Sequence, residues 1–353
     1  MTALKLGSLF DGIGVFPLAA VHCGIEPVWA SEIEARPISI TKRHFPDMLH
    51  LGDITKISGA EIPPVDVITF GSPCQDLSQI GTRNGFAGKK SSLFYQAMRI
   101  IEEMRYATNG RYPAFCIWEN VAGAFSSNDR LDFAAMLSAF TGAEVSVPPR
   151  GWAHAGMVRG GCADTAWRLL DAQYWGEPAL VQRRKRVFVV ADFAGQRAGE
   201  VLFKPRTVLP FSAISGPGGV SATQRGGVPA AQTGRQVPIV RPFSLRRMRT
   251  MAQVGDQKGF CTSFGRGGEP FPTLLASVTA PFSFWYEGEE QDGFLRVLTP
   301  LECERLMGLP ENWTKYGCKN EEISDHARYR ALGNSIALPC AEYVMAGIAE
   351  VMN

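Results

Sequence analysis

The first half of the chain alternates two periodicities, and this alternation limits the fold more than any other feature. Leu4–Leu9, Val28–Ser31, Val65–Phe70 and Phe115–Trp118 are short β-rich runs, while Phe16–Cys23, Pro37–His44 and Leu93–Arg105 carry apolar residues at helical spacing. Strand-helix alternation predicts an α/β domain with a mostly parallel sheet covered on both faces, whose ligands bind beyond the carboxyl ends of the strands. Val187–Ala191 reads as a later strand of the same sheet. From about Phe193 the pattern dissolves into Gly, Pro, Ser and Arg, especially over Ser212–Arg235, so a second, loop-rich unit is expected there. Thr299, Pro300 and Glu302 compose a helix start, with an N-cap, a first-position proline and a capping-box acid. A last helix is expected over Leu338–Val351. The expected boundaries are 1–194 for the first domain, 195–298 for the second, and 299–353 for a segment returning to the first.

The 353 residues are 45% hydrophobic, enough for a sizeable core. Met1–Phe10 lacks the pattern of a signal peptide and no run of about 18 apolar residues occurs, so no membrane span and a cytoplasmic location are expected. The eight cysteines are scattered with no Cys-x-x-Cys pair, which argues against a zinc site, and no metal is expected. The net charge of +2 hides a polarity: Val181–Thr250 holds thirteen Lys/Arg against two acids, Asp192 and Glu200, so the remainder is net acidic. Such a distribution suits a protein that presents one face to a phosphate backbone.

Phe10-Asp11-Gly12-Ile13-Gly14 follows the first strand, and Glu32 follows the second, twenty positions after Gly12. In a dinucleotide enzyme this spacing sets an acid on a ribose. The third glycine of that fingerprint is missing, because Pro17 occupies its place and has no N–H to donate. The turn therefore suits a nucleoside without a pyrophosphate, such as S-adenosylmethionine; a plain strand-to-helix turn is the other reading. Gly71-Ser72-Pro73-Cys74-Gln75 comes directly after Val65–Phe70, and a cysteine in a Gly/Pro-stiffened loop at a strand's carboxyl end is displayed as nucleophiles are. Glu119, in Trp118-Glu119-Asn120-Val121 after the next strand, is a candidate carboxyl of raised pKa, or else a helix cap or a solvated acid. In Gln182-Arg183-Arg184-Lys185-Arg186, alternation sets Gln182, Arg184 and Arg186 on one face and Arg183 and Lys185 on the other. One set can then face a site while the other meets phosphate, unless the run is simply a solvated edge.

Taken in order, these motifs resemble one family closely, the DNA (cytosine-5)-methyltransferases of the bacterial and phage type. The resemblance is carried by Phe10–Gly14, Glu32, Gly52-Asp53-Ile54, Pro73–Gln75, Ser92-Leu93-Phe94, Glu119–Val121 and Gln182–Arg186, then by Leu298-Thr299-Pro300 through Arg305-Leu306-Met307-Gly308 and by Leu332-Gly333-Asn334-Ser335. Two positions depart from the family pattern. Val15 stands where a further glycine is usual, and Ala179-Leu180-Val181 separate Pro178 from Gln182.

The resemblance implies a Rossmann-like S-adenosylmethionine-dependent sheet with a smaller target-recognition domain. It implies Cys74 as the nucleophile at carbon 6 of an extruded cytosine, Glu119 at N3, and Arg186 or Arg184 at O2 and near the thiol. Phe10, Asp11, Gly12 and Gly14 would line the methyl donor, with Glu32 on its ribose, Asp53 on its adenine, and Ile33, Ile54, Pro73, Leu93, Asn334 and Ser335 completing the pocket. Residues expected at the DNA are Gln75, Ser78, Arg183, Lys185, Arg246, Arg247, Arg266, Thr273 and Leu274. The partner implied is double-stranded DNA, with the protein acting as a monomer. Three alternatives share some of these features. A nicotinamide dehydrogenase would use the first turn but gives Cys74, Glu119 and the arginine run no shared purpose. An RNA-directed relative would use the whole catalytic set, and a non-catalytic DNA-binding regulator would have no use for Cys74 and Glu119.

Overall fold

The computed structural model describes residues 3–72, 93–204, 239–243, 274, 283–287 and 294–353. Pro73, Cys74, Gln75, Ser78, Arg246, Arg247, Arg266 and Thr273 lie outside the described residues.

Among the described residues the strands are β1 (Lys5–Leu9), β2 (Glu26–Ser31), β3 (Leu49–His50), β4 (Val67–Phe70), β5 (Phe115–Val121), β6 (Ala155–Arg159), β7 (Asp164–Asp171), β8 (Lys185–Asp192), β9 (Ile239–Phe243), β10 (Ser283–Glu287) and β11 (Phe294–Val297). The helices are α1 (Val15–His22), α2 (Ala35–His44), α3 (Leu93–Ala107), α4 (Leu131–Thr141), α5 (Ala198–Leu202), α6 (Pro300–Leu306), α7 (Asp325–Asn334) and α8 (Leu338–Met352). β1 to β8 form one sheet in the order β3-β2-β1-β4-β5-β8-β7-β6, and β11-β10-β9 form a second, three-stranded sheet.

The large sheet is parallel from β3 to β5, as the alternation of the first half predicts. Beyond β5 it is antiparallel, through β8, β7 and β6. The hairpin of β6 and β7 is absent from the sequence reading, so the sheet is less parallel than expected. Both faces are covered. Leu6, Ile117, Phe188 and Val190 pack with α1, α5 and α8 on one side, while Phe70, Trp118, Val187 and Val189 pack with α3 and α4 on the other.

α5 packs on the large sheet, its Leu202 carbonyl accepting from Arg168 Nη1 of β7 at 2.8 Å and from the Tyr343 hydroxyl of α8 at 2.7 Å. α6, α7 and α8 contribute to the same core cluster as β1 and α1. The capping box of α6 is complete, with Glu302 N–H donating to Thr299 Oγ1 at 3.3 Å and Thr299 N–H to Glu302 Oε2 at 2.8 Å. Trp313 then donates from its indole to the Ile13 carbonyl at 2.8 Å, and stacks on His44 with ring centres 3.6 Å apart. No single helix among the described residues is long and apolar enough to cross a membrane.

Candidate active site

Residues singled out from the sequence gather at the carboxyl ends of β1, β2, β3, β4 and β5. Two clusters result, one around the glycine turn and one around Glu119.

The glycine turn leaves β1 through three left-handed residues, Phe10 (φ 54°), Gly12 (φ 60°) and Gly14 (φ 78°), and Gly14 starts α1. Glycine adopts such angles without the steric cost that a Cβ brings, which lets the backbone double back tightly. Glu32, just past β2, fastens this turn. One carboxylate oxygen accepts the Gly12 N–H at 2.9 Å, and the other accepts the N–H groups of Ile33 at 2.8 Å and Glu34 at 3.0 Å. Asp53, just past β3, caps the following turn by accepting from Thr55 N–H at 3.0 Å, and these bonds hold its carboxyl below the usual range. Ile33 is 73% exposed on the open side, while Ile54 is buried. Asn334 ends α7 and is exposed, with Ser335 after it. An ion pair between Arg330 and Glu34 at 2.6 Å ties α7 to the end of β2.

Asp11 was placed in the donor pocket by resemblance alone, and its state was not legible. It is partly buried; Thr41 Oγ1 donates to one oxygen at 3.2 Å, and the other is shielded from solvent. Burial, assisted by the nearby Glu32 charge, pushes its carboxyl up from 3.8 to about 7. An acid with one shielded oxygen beside an open turn, with a second carboxylate locked onto backbone N–H groups, suits a ligand rich in hydroxyl and amino donors and carrying positive charge. Pro17 inside α1 leaves no N–H there for a pyrophosphate.

The second cluster grows from register. Phe70 of β4 pairs with Trp118 of β5, so Gly71 lies beside Glu119 and Ser72 beside Asn120. A methyl group on Gly71 would come within 3.1 Å of Glu119 Oε2, so the glycine makes room for the carboxylate. Asn120 Nδ2 donates to the Ser72 carbonyl at 2.9 Å, its Oδ1 accepts the Val121 N–H at 2.8 Å, and the Trp118 indole donates to Ser72 Oγ at 3.1 Å. The last two described residues before Pro73-Cys74 are thus anchored on β5.

On the other side of β5 runs β8, whose Arg186 pairs with Val121. Arg186 Nε approaches Glu119 Oε1 to 2.9 Å, a largely buried ion pair. Burial raises the Glu119 pKa, and the Arg186 and Arg184 charges oppose the rise. The alternation expected over Gln182–Arg186 holds in the fold: Gln182 and Arg184 are buried, Arg186 is partly buried, and Arg183 and Lys185 are exposed. Arg184 points inward to backbone oxygens. Its Nη1 donates to the Leu274 carbonyl at 3.0 Å, and Nη2 to the carbonyls of Gly333 at 2.9 Å and of Ser335. Leu274, expected at the DNA, is 2% exposed, because its apolar side chain joins the core. No group of three or more His, Cys, Asp or Glu suited to a metal occurs among the described residues.

The family described as C-5 cytosine-specific DNA methylase matches residues 4–204 and 242–350. A Type II methyltransferase of Lactococcus lactis subsp. cremoris, M1.ScrFI, is 27% identical over 99% of this chain and 78% of its own length. A protein of Escherichia phage P1 described as a DNA N-6-adenine-methyltransferase is 24% identical over 98% of this chain, which spans 61% of that protein's length. The solved structure of the Entamoeba histolytica methyltransferase EhMeth shares the fold, with a TM-score of 0.59 at 12% identity over 100% of both chains. Enzymes of the matched family take their methyl group from S-adenosylmethionine. With a match that runs from β1 through the glycine turn, Glu119 and Arg186 to α8, this chain belongs to the C-5 cytosine-specific DNA methylase family.

Proposed function

We propose that this chain methylates carbon 5 of a cytosine extruded from duplex DNA, through a transient bond between Cys74 sulfur and carbon 6 of the ring. The observation that carries this reading is the Glu119–Arg186 pair, held beside the Gly71-Ser72 step that leads in sequence to Cys74. Carbon 5 of cytosine is too weak a nucleophile to take a methyl group unaided. A thiolate adding at carbon 6 pushes electron density toward carbon 5 and builds negative charge at N3 and O2. Glu119, its carboxyl kept protonated more readily by burial, donates a proton to N3. Arg186 stabilises the charge at O2 with a guanidinium already held at the site, so little reorganisation is needed as charge develops. Removal of the carbon 5 proton by a base then expels the thiolate and restores the aromatic ring.

The glycine turn, Glu32, Asp53 and Asn334 would hold S-adenosylmethionine, which supplies an electrophilic methyl group. Glu32 accepts from the ribose hydroxyls while its remaining lone pairs keep the turn closed, and Asp53 accepts from the adenine amino group. Exposed Lys185, with Arg183, meets backbone phosphate, which helps offset the few kcal/mol needed to unstack and unpair the target base.

The test is a duplex carrying 5-fluorocytosine, incubated with protein and S-adenosylmethionine. Fluorine cannot leave as a cation, so the intermediate should accumulate as a covalent complex, and Cys74→Ser should abolish it. No complex with active protein would overturn the covalent step. Mapping of product as 5-methylcytosine or N6-methyladenine, in duplex DNA and in tRNA, separates this reading from its adenine-directed and RNA-directed rivals.

A further inference from the structure

We propose that Arg184 is a positioning residue that couples duplex binding to methyl-donor binding, by fastening the recognition segment at Leu274 to the α7–α8 turn at Gly333 and Ser335. The inference deepens the reading above and rests on it. By resemblance Arg184 shares the O2 contact with Arg186, but its geometry commits it elsewhere. Both Nη2 hydrogens are taken by the Gly333 and Ser335 carbonyls, and Nη1 donates to Leu274. The backbone N–H of Arg184 is itself held by Asp171 Oδ1 at 3.1 Å, so the side chain grows from a fixed point.

A guanidinium is a rigid planar fork, so it cannot turn toward a substrate without giving up these acceptors together. Its charge is buried, and a buried cation deprived of an acceptor is left poorly solvated, a costly state. Leu274 and the α7–α8 turn therefore move as one. Gly333 and Ser335 flank Asn334, the residue assigned to the donor pocket. A second tie runs in parallel, since the Tyr329 hydroxyl of α7 donates at 2.6 Å to the carbonyl of Leu298, at the end of the recognition segment. A duplex that contacts the stretch around Leu274 thus acts, through Arg184, on the turn that holds the donor.

The experiment measures the affinity of the full chain for S-adenosylhomocysteine, with and without a duplex containing the mapped methylation site, for wild type and Arg184→Lys. In wild type the duplex should tighten binding by a factor of about 5 or more. In Arg184→Lys, which keeps charge but loses the fork, that factor should fall to within about twofold of unity, while affinity without DNA stays within about twofold of wild type. A coupling factor retained in the variant while kcat collapses would make Arg184 a substrate contact and overturn the proposal. So would a parallel fall in both separate affinities, or a wild-type factor of unity. Should Arg184→Lys not fold, hydrogen exchange on wild type decides: duplex alone should raise protection at the Leu338 amide, which is bonded to the Met307 carbonyl, and unchanged protection overturns the proposal. Wild type that methylates nothing fails the underlying reading; active wild type without coupling fails only this one.

Discussion

Two carboxyl groups among the described residues are displaced upward by burial, and they do different work. For Glu119 the shift favours the protonated acid that a proton donor to N3 must be. The rate at limiting DNA should therefore fall as pH rises through its raised pKa. Glu119→Gln should remove that upper limb and lower kcat/KM about 10²- to 10⁴-fold, measured by methyl incorporation across pH; a variant that keeps the limb assigns it to another group. Asp11, raised from 3.8 to about 7, favours the fold when protonated. Its contribution is fully present below pH 3.8 and is lost as pH rises to about 7. Asp11→Asn should therefore gain stability relative to wild type across that window, by an amount on the order of a few kcal/mol, and level off above it. Thermal unfolding of the ligand-free proteins at several pH values reads this, and a pH-independent difference would refute it. Glu119 stood out in the sequence because an acid follows an apolar strand. Asp11 did not, since nothing local to Phe10–Gly14 shows that Thr41, thirty residues away, covers it.

At the scale of elements, the junction between β4 and β5 carries the site. Asn120 spans it through a bond to the Ser72 carbonyl. Asn120→Ala leaves that buried carbonyl and the Val121 N–H without their partner, at about 1–3 kcal/mol each. The variant should lose kcat more than donor affinity, read by steady-state kinetics and donor titration; equal losses in both would place the damage elsewhere. The parallel half of the sheet was legible, apart from the two-residue β3, because its longer strands and its helices carry their own periods. The hairpin of β6 and β7 was not, because β7 is buried along most of its length and so lacks alternation. β9 was hidden for another reason. Pro242 within it argues against a strand, yet β9 is an edge of its three-stranded sheet, where a missing N–H costs no ladder bond. The expected loop-rich unit thus contains a small antiparallel sheet.

Over the whole molecule, charge is divided between a basic window and an acidic remainder. Association with DNA should weaken steeply with salt, and Lys185→Ala should reduce the slope of log affinity against log salt by about 1 without changing the sequence methylated. Fluorescence anisotropy over a salt series checks this, and an unchanged slope would remove Lys185 from the phosphate contacts. The capping box of α6 was legible in Thr299, Pro300 and Glu302, but the contact that ties the residues after it to the glycine turn was not. That contact, the Trp313 indole on the Ile13 carbonyl, joins residues 300 positions apart. A ribosome must therefore carry synthesis past Trp313 before the Phe10–Gly14 turn is braced, so nascent chains interrupted upstream of this tryptophan lack that brace, however well their first strands have formed.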